Sequence, residues 1–270
     1  MRHIFNALKE IKGKLKGRPL FIFLDCDGTL APIADTPEKA AVPEGTKRVL
    51  SLLSKKDDYR VAVISGRELR DIKKKIGLKK IIYSGNHGFQ ITAPGFSYSL
   101  PVPSGYRNAL RQIKSALRLG LSGIGGVLIE DKGFFLSLHF RLAKTGKTPL
   151  IKSVFRDSVA FALKKGKVTV RPGKKVFEIG PPVRWNKGRI VLWTLARREF
   201  NPGRNKSLPI YIGDDITDED AFRVLKGRGL TVFVGRPGAS AADYYLKDTR
   251  EVARFLRLLS DWGSASRCRN

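Results

Sequence analysis

Two aspartates stand two residues apart at the end of an apolar run near the start of the chain. The run 21–24 (FIFL) has no polar alternation and leads directly into Asp25 and Asp27, which is typical of a strand buried on both faces of a parallel sheet. Ligands of open α/β sheets bind outside the carboxyl ends of the strands. Two ionised acids this close repel each other, and magnesium, which prefers oxygen ligands, would relieve that repulsion.

The same two side chains suit phosphoryl transfer. Asp25 is a candidate nucleophile, because carboxylates form covalent phosphoryl intermediates. Asp27 is a candidate general acid, which would protonate the leaving alkoxide and then activate water as a base. The sequence therefore predicts a metal-dependent active site within its first thirty residues.

Two further polar residues follow later elements. Ser65 comes after the apolar strand predicted at 60–64, where its hydroxyl and the neighbouring amides would hold phosphoryl oxygens near a helix start. The alternative for Ser65 is a helix N-cap. Lys187, in the segment 185–188 (WNKG), is predicted at a helix start, from which its ammonium group would offset carboxylate and phosphate charge. The alternative for Lys187 is an ordinary surface lysine.

An acidic cluster directly follows the apolar strand predicted at 209–212, with five acids among the seven residues 214–220. Asp214 and Asp215 are candidates to complete an oxygen-ligand site for magnesium. Asp218 is expected to cap the next helix instead, with Glu219 in its first turn.

The order of predicted elements indicates an interrupted α/β fold. From residue 20 strands alternate with helices, which favours a Rossmann-like parallel-sheet core made of residues 1–100 and 183–270. Between them, at 101–182, the order is α-β-β-α-β-β, which is typical of a small α+β domain with an antiparallel sheet. Prolines mark both ends of this inserted segment.

The strongly basic composition of the chain has three candidate explanations. The formal net charge is +28, spread over all 270 residues. Zinc-finger spacing, aromatic RNA-binding motifs and basic-zipper heptads are missing from the sequence, so we do not expect dedicated nucleic-acid binding. A lysine- and arginine-rich surface of a hot or salt-adapted host, or steering of an anionic substrate, remain as explanations.

The cysteine count and the hydropathy bear on the compartment. The chain has two cysteines, Cys26 and Cys268, which does not suggest a disulfide framework, and Cys26 is expected to be a small buried side chain. The sequence shows neither an apolar run long enough for a bilayer nor a secretory apolar segment. We therefore expect a cytoplasmic protein without a membrane partner.

The four polar elements, in this order, resemble the motifs of the haloacid dehalogenase superfamily of aspartate-nucleophile phosphatases. Further segments are similar to those of the trehalose-6-phosphate phosphatase family, from Pro19 to about Leu259. They are GNHG at 85–88, SLHFR at 137–141, GKKVFEIGP at 173–181, WNKG at 185–188 and YIGDDITDEDAF at 211–222. The last of these segments is the most specific.

The resemblance implies a mechanism and a set of site residues. It implies a haloacid dehalogenase core with an α+β cap, and magnesium-dependent hydrolysis of trehalose 6-phosphate to trehalose and phosphate through an aspartyl-phosphate. Magnesium would be held by Asp25, the backbone carbonyl of Asp27 and Asp214, with Asp215 nearby, while Ser65 and Lys187 would hold the phosphoryl group. The residues implied in sugar binding are Asn86, His87, Arg141, Lys174 (or its neighbour Lys175) and Glu178.

Two other functions remain open at this point. A related sugar phosphatase of the same superfamily would act on sucrose 6-phosphate or on mannosyl- or glucosyl-3-phosphoglycerate. A nucleic-acid-binding protein on the same scaffold would use the basic surface instead. The expected partner is a small sugar phosphate, and a monomer is expected.

Overall fold

The chain forms two compact units, of which one contains Met1–Ser99 and Trp185–Asn270 and the other contains Leu100–Arg184. The structure is a computed structural model that describes residues 1–34, 39–183, 185–200 and 207–262. Within these ranges, no helix combines the length and the apolar character that crossing a bilayer requires.

The described residues form β-strands and α-helices in the following order along the chain. The strands are β1 (Arg2–His3), β2 (Leu20–Leu24), β3 (Tyr59–Ile64), β4 (Ile82–Gly85), β5 (Gln90–Ala93), β6 (Phe96–Ser99), β7 (Leu128–Asp131), β8 (Leu136–His139), β9 (Thr169–Gly173), β10 (Val176–Gly180), β11 (Leu208–Gly213), β12 (Leu230–Val234) and β13 (Tyr244–Leu246). The helices are α1 (Leu8–Leu15), α2 (Glu44–Ser54), α3 (Leu69–Ile76), α4 (Tyr106–Leu121), α5 (Thr148–Lys164), α6 (Lys187–Ala196), α7 (Glu219–Leu225) and α8 (Thr249–Trp262).

The first unit is built on one nine-stranded sheet with the order β1-β13-β12-β11-β2-β3-β4-β5-β6. The strands from β1 to β4 in this order pair in parallel, and β5 and β6 extend the edge by antiparallel pairing. The chain builds one side of the sheet outward from β2 and later returns to place β11 on the other side of β2. A reversal of this kind is the topological switch point at which α/β proteins bind ligands.

Strand β2 lies at the centre of the unit and is buried along its whole length. Its residues alternate between two apolar clusters: Ile22 and Leu24 belong to the cluster that includes helices α2, α3 and α8, whereas Phe21 and Phe23 belong to the cluster that includes α6 and α7. Because helices cover both faces of the sheet, the central strand carries no polar alternation. This explains the apolar run that precedes Asp25.

The first residues of the chain are part of the same unit. Strand β1 adds to the edge of the sheet beside β13. Ile4, in a short 3-10 turn, and Ile11, on the inner side of α1, are completely buried in the cluster that holds α2 and α8. The basic residues of α1 lie on its outer side, so the segment packs through its apolar residues.

The second unit is a four-stranded antiparallel sheet in the order β7-β8-β10-β9 with two helices. Leu136 and Leu138 of β8 pack in one apolar cluster with residues of α4 and α5, so the helices cover that face. Ser137 alternates with these leucines and therefore belongs to the other face. Glu178 of β10 stands opposite Ser137 in the register, so it lies on the face away from the helices.

Candidate active site

Three neighbouring strands end at the same edge of the first unit and carry the predicted site residues. Leu24 stands opposite Ile212 of β11 and opposite Val63 of β3. The N–H of Asp25 continues this ladder by donating to the carbonyl of Ile212 (2.9 Å). The residues that follow these strands therefore emerge side by side at the switch point of the sheet.

Lys187 joins two of the acids through its ammonium group. Its Nζ donates to Oδ1 of Asp25 and to Oδ1 of Asp218, both at 2.7 Å. Asn186 caps helix α6, because its side chain accepts from the N–H of Arg189 (2.9 Å), and this places Lys187 at the first helical position. All three charged side chains are buried, so the pairing takes place in a region of low dielectric constant, where it is strong.

Asp218 holds this arrangement together, although the sequence predicted it only as the cap of the next helix. It does stand at the N-cap position of α7, but its side chain makes no capping hydrogen bond there. Its Oδ1 also accepts from the hydroxyl of Tyr211 (2.6 Å), and its Oδ2 accepts from the N–H of Asp215 (2.9 Å). It is completely buried. The spacing from Asp214 could not have revealed its contact with Lys187, because Asp215 has an extended backbone (φ −113°, ψ 165°) and the segment from Asp214 to Asp218 is not one helical turn.

Asp214 completes a cluster of three carboxylates. Asp25, Asp214 and Asp218 each offer an oxygen that lies within 4.8 Å of those of the other two. Thr29 donates its hydroxyl to Oδ1 of Asp214 (3.1 Å). Gly28 permits this close approach, because its φ is +81° and a Cβ at that position would overlap the Asp214 carboxylate.

The cluster carries too little positive charge for its acids. Among the described residues, one ammonium group, that of Lys187, faces the three carboxylates. Burial raises the pKa of Asp25 well above its ordinary value, with a further rise from the charges of Asp218 and Asp214 against the opposing effect of Lys187. Burial and the charge of Asp218 raise the pKa of Asp214 to about 6.

Lys187 nevertheless stays charged. Burial alone would lower its pKa, but the carboxylates of Asp25 and Asp218 outweigh burial and raise the pKa above the ordinary lysine value. The remaining negative charge fits a hard divalent cation, because the donors are carboxylate oxygens. Since both oxygens of Asp218 already accept hydrogen bonds, Asp25 and Asp214 are the acids best placed to hold such an ion.

Asp215 does not join this cluster, although the sequence placed it with the metal-site acids. It is exposed and is the N-cap of the 3-10 turn Ile216–Asp218, where its Oδ1 accepts from the N–H of Ile216 (2.7 Å). The chain turns into a helix directly after β11, which directs Asp214 inward and commits Asp215 to its own turn. The structure therefore brings Asp218 to the cluster in place of Asp215.

Asp27 also lies outside the three-carboxylate cluster. Its carboxylate is held by Arg67, whose Nε and Nη2 donate to Oδ2 and Oδ1, both at 2.6 Å. The Asp27 side chain is 39% exposed, so it is open to solvent while Asp25 is not. Sequence reasoning did not single out Arg67, since an isolated arginine carries no signal in a chain with 52 lysines and arginines.

Ser65 is buried at the end of β3. Its Oγ accepts from the N–H of Arg67 (3.1 Å). It is not the N-cap of α3, because that helix begins at Leu69 and its N-cap is Glu68. The alternative role of Ser65 as a helix N-cap is thus excluded. Its side chain instead stabilises the turn that carries Arg67.

Asn86 and His87 follow β4 with strained backbone. Both have a φ of +52°, which costs about 1–3 kcal/mol per non-glycine residue. Asn86 is completely buried and donates from Nδ2 to Oε1 of Gln90 (2.8 Å), so in this structure its side chain holds the loop rather than facing solvent. The His87 ring packs where a Cβ of Gly66 would stand, which brings the two loops after β3 and β4 together.

The other residues implied in sugar binding belong to the second unit. Arg141 and Lys174 are exposed, and Glu178 is half-buried. Lys174 and Lys175 form the turn between β9 and β10, in which Lys175 has a positive φ of 61° and its ammonium group lies 5.9 Å from the centre of the Phe140 ring.

The cysteines do not contribute a nucleophile among the described residues. Cys26 is buried, and burial raises the pKa of its thiol well above the ordinary value, which keeps the thiol protonated. It packs in the apolar cluster around α2 and α8. Cys268 lies outside the described residues.

The shortage of positive charge predicts that Asp214→Asn stabilises the metal-free protein. Because folding raises the pKa of Asp214 from 3.8 to about 6, the folded state binds more protons than the unfolded state between these values, and stability falls as pH rises through that window. The variant should gain about 1–3 kcal/mol near pH 7, and the gain should vanish below about pH 4. Urea denaturation in chelator across this pH range measures it, and a destabilised variant at pH 7 would contradict the charge argument.

Comparisons with known proteins place this arrangement in a family. The chain is 32% identical over 269 residues to trehalose-phosphate phosphatase B of Arabidopsis thaliana, which covers 95% of this chain and 70% of that protein. The trehalose-6-phosphate phosphatase C-terminal domain of Candida albicans matches with a TM-score of 0.75 and 25% identity over 94% of this chain and 96% of that one.

The same fold occurs more widely. A haloacid dehalogenase-like hydrolase from Bacteroides thetaiotaomicron matches with a TM-score of 0.62 and 17% identity over 89% of this chain and 99% of that one, which shows the fold alone. The family model described as trehalose-phosphatase matches residues 23–249, a span that includes the aspartates that follow β2 and β11. With strand ends, carboxylates and lysine arranged as above, this chain belongs to the trehalose-phosphatase family, on the haloacid dehalogenase fold.

Proposed function

We propose that this protein is a magnesium-dependent phosphoric monoester hydrolase that converts trehalose 6-phosphate to trehalose and phosphate. The observation that carries the proposal is the buried contact of Lys187 with Asp25, beside Asp214. It presents one carboxylate at a strand end, holds it with a cation, and leaves negative charge for a metal to balance. Membership of the trehalose-phosphatase family supports the choice of substrate.

Magnesium would be held by the carboxylates of Asp25 and Asp214 and by the backbone carbonyl of Asp27. When bound, it would supply charge neutralisation that lets an anionic phosphate approach anionic carboxylates. Two features of the described residues support this assignment: the donors are oxygens, and Gly28 leaves room for the Asp214 carboxylate.

In the first step, a carboxylate oxygen of Asp25 forms a bond to phosphorus while the bond from phosphorus to the sugar oxygen breaks. Asp27 gives its proton to the leaving oxygen, which yields trehalose and an aspartyl-phosphate. Lys187 balances the charge that develops on the phosphoryl oxygens. Ser65 and the neighbouring backbone amides contribute hydrogen bonds to the same group.

In the second step, water attacks phosphorus while Asp27 takes its proton, and the bond between phosphorus and the Asp25 oxygen breaks. Phosphate leaves, Asp25 regains its carboxylate, and Asp27 is again protonated. The two aspartates thus divide the work: Asp25, fixed by Lys187, forms the covalent bond, and the more exposed Asp27 moves the protons.

We further propose that the unit Leu100–Arg184 is an inserted cap that recognises the sugar. Arg141, Lys174 and Glu178 combine donors and acceptors that suit sugar hydroxyl groups. Glu178 is on the sheet face that α4 and α5 leave uncovered, which supports a recognition role for that face. Asn86 and His87 are further candidates for sugar binding, Asn86 by supporting its loop.

The substrate is tested by phosphate release from a panel of sugar phosphates. With magnesium, the rate on trehalose 6-phosphate should exceed the rates on glucose 6-phosphate, sucrose 6-phosphate and mannosyl-3-phosphoglycerate by at least about tenfold, about 1.4 kcal/mol of discrimination. Chelator should abolish all activity. A preference for another member of the panel would reassign the substrate, and full activity in chelator would refute the metal.

The nucleophile is tested by Asp25→Asn, which removes the attacking charge but keeps the shape of the side chain. The variant should lose at least about 1,000-fold in kcat and should form no acid-stable, hydroxylamine-sensitive phosphoprotein. Asp261→Asn, an exposed aspartate near the end of α8, is the matched control and should keep the wild-type rate. Turnover of Asp25→Asn at the wild-type rate would show that another group attacks phosphorus.

A further inference from the structure

Arg67 occupies a central position among the loops at the strand ends. Its N–H donates to Oγ of Ser65 (3.1 Å), and its carbonyl accepts from the N–H of Asn86 (2.7 Å). Both ends of its peptide are thus fixed by residues of the predicted site. The loops after β3 and β4 therefore hold the Arg67 backbone in one place.

The side chain of Arg67 is fixed as firmly as its backbone. Nε and Nη2 hold both oxygens of Asp27 in a two-point contact, and the remaining Nη1 donates to Oδ2 of Asp71 in the first turn of α3 (2.8 Å). Arg67 is 12% exposed, whereas its two acidic partners are 39% and 38% exposed. A planar guanidinium held in this way sets the direction of a carboxylate as well as its distance.

The backbone of Asp27 is fixed by its bridge to Ala31, so the contact with Arg67 constrains the rotation of the side chain. Asp27 follows the end of β2 by three positions and precedes Gly28, whose φ is +81°. Its side chain has, among the described residues, no hydrogen-bond partner besides Arg67. Free rotation about its side-chain bonds would leave the carboxyl group in the wrong place for much of the time, because proton transfer requires hydrogen-bond reach of the reacting oxygen.

We propose that Arg67 is the positioning residue of Asp27, which aims the proton-transferring carboxyl group at the leaving oxygen, with Asp71 holding Arg67 in turn. The proposal rests on the proposed function, since it needs Asp27 to transfer protons. Arg67 acts through Asp27 and does not itself contact the phosphoryl group. The ion pair is thus a part of the catalytic apparatus and more than a surface contact.

The test compares two leaving groups, because they differ in their need for a proton. The alkoxide of a sugar must be protonated as it leaves, whereas nitrophenolate leaves without help. In Arg67→Met, kcat for trehalose 6-phosphate should fall at least about 100-fold with less than about a threefold change in KM. The initial burst of nitrophenolate from p-nitrophenyl phosphate, which reports attack by Asp25, should change less than about threefold.

Two controls separate positioning from folding. Arg60→Met, in the neighbouring strand β3, removes an arginine whose hydrogen bonds go to the backbone carbonyls of Asp57 and Tyr59, and it should keep wild-type kinetics on both substrates. Arg67→Lys, which keeps one donor for Asp27, should recover at least about tenfold of the loss. If Arg67→Met fails to fold, Arg67→Lys carries the same comparison of the two substrates against wild type.

The double variant supplies the sharpest outcome. In an Asp27→Asn background, Arg67→Met should lower the residual rate by less than about twofold, because a residue that acts through Asp27 has no effect once Asp27 is disabled. Additive losses, a nitrophenolate burst that falls as much as kcat for trehalose 6-phosphate, or a rise in KM with unchanged kcat would overturn the proposal. A wild-type protein that cleaves p-nitrophenyl phosphate but no sugar phosphate would instead refute the proposed function.

Discussion

The site depends on one electrostatic constraint: among the described residues, a single ammonium group faces three clustered carboxylates, of which Asp25 and Asp218 are buried and Asp214 is half-buried. Lys187 satisfies Asp25 and Asp218 directly, and it does so from the first position of a capped helix. Asp214 stands in the same cluster without a cation of its own. The folded site therefore carries an excess of negative charge, and its carboxylates repel one another. A bound divalent ion would relieve this repulsion.

The backbone makes this concentration of charge feasible. Parallel strands on either side of the switch point deliver Asp25 and Asp214 to the same edge, and Gly28 lets the second carboxylate approach closely. The strained residues after β4 and the ion pair of Asp27 lie on neighbouring loops. Local stability is thus given up at the site, while the sheet and its two apolar clusters hold the strands in place.

The features that could be predicted are those set by residues close together in the sequence, whereas contacts between distant residues could not be predicted. The apolar runs that precede Asp25 and Asp214 predicted the two central strands. A strand that is buried on both faces is apolar along most of its length, so a short stretch of sequence is enough to reveal it. The short edge strands β1, β5 and β6 were not predicted, because pairing partners decide them. Asp218 was predicted only as a helix cap, because the lysine that it binds lies 31 residues earlier in the chain and local sequence does not show that contact. Arg67 and the exposed position of Asp215 follow from side-chain directions that spacing does not reveal.

The central claim is tested most directly by the effect of magnesium on thermal unfolding near pH 7, compared between wild type and Asp214→Asn. A ligand that binds the folded state raises the unfolding midpoint by mass action. The account predicts that millimolar magnesium raises the wild-type midpoint by at least about 3 °C and changes the midpoint of the variant by much less. Equal shifts in the two proteins, or none in the wild type, would contradict a dication held by Asp25 and Asp214.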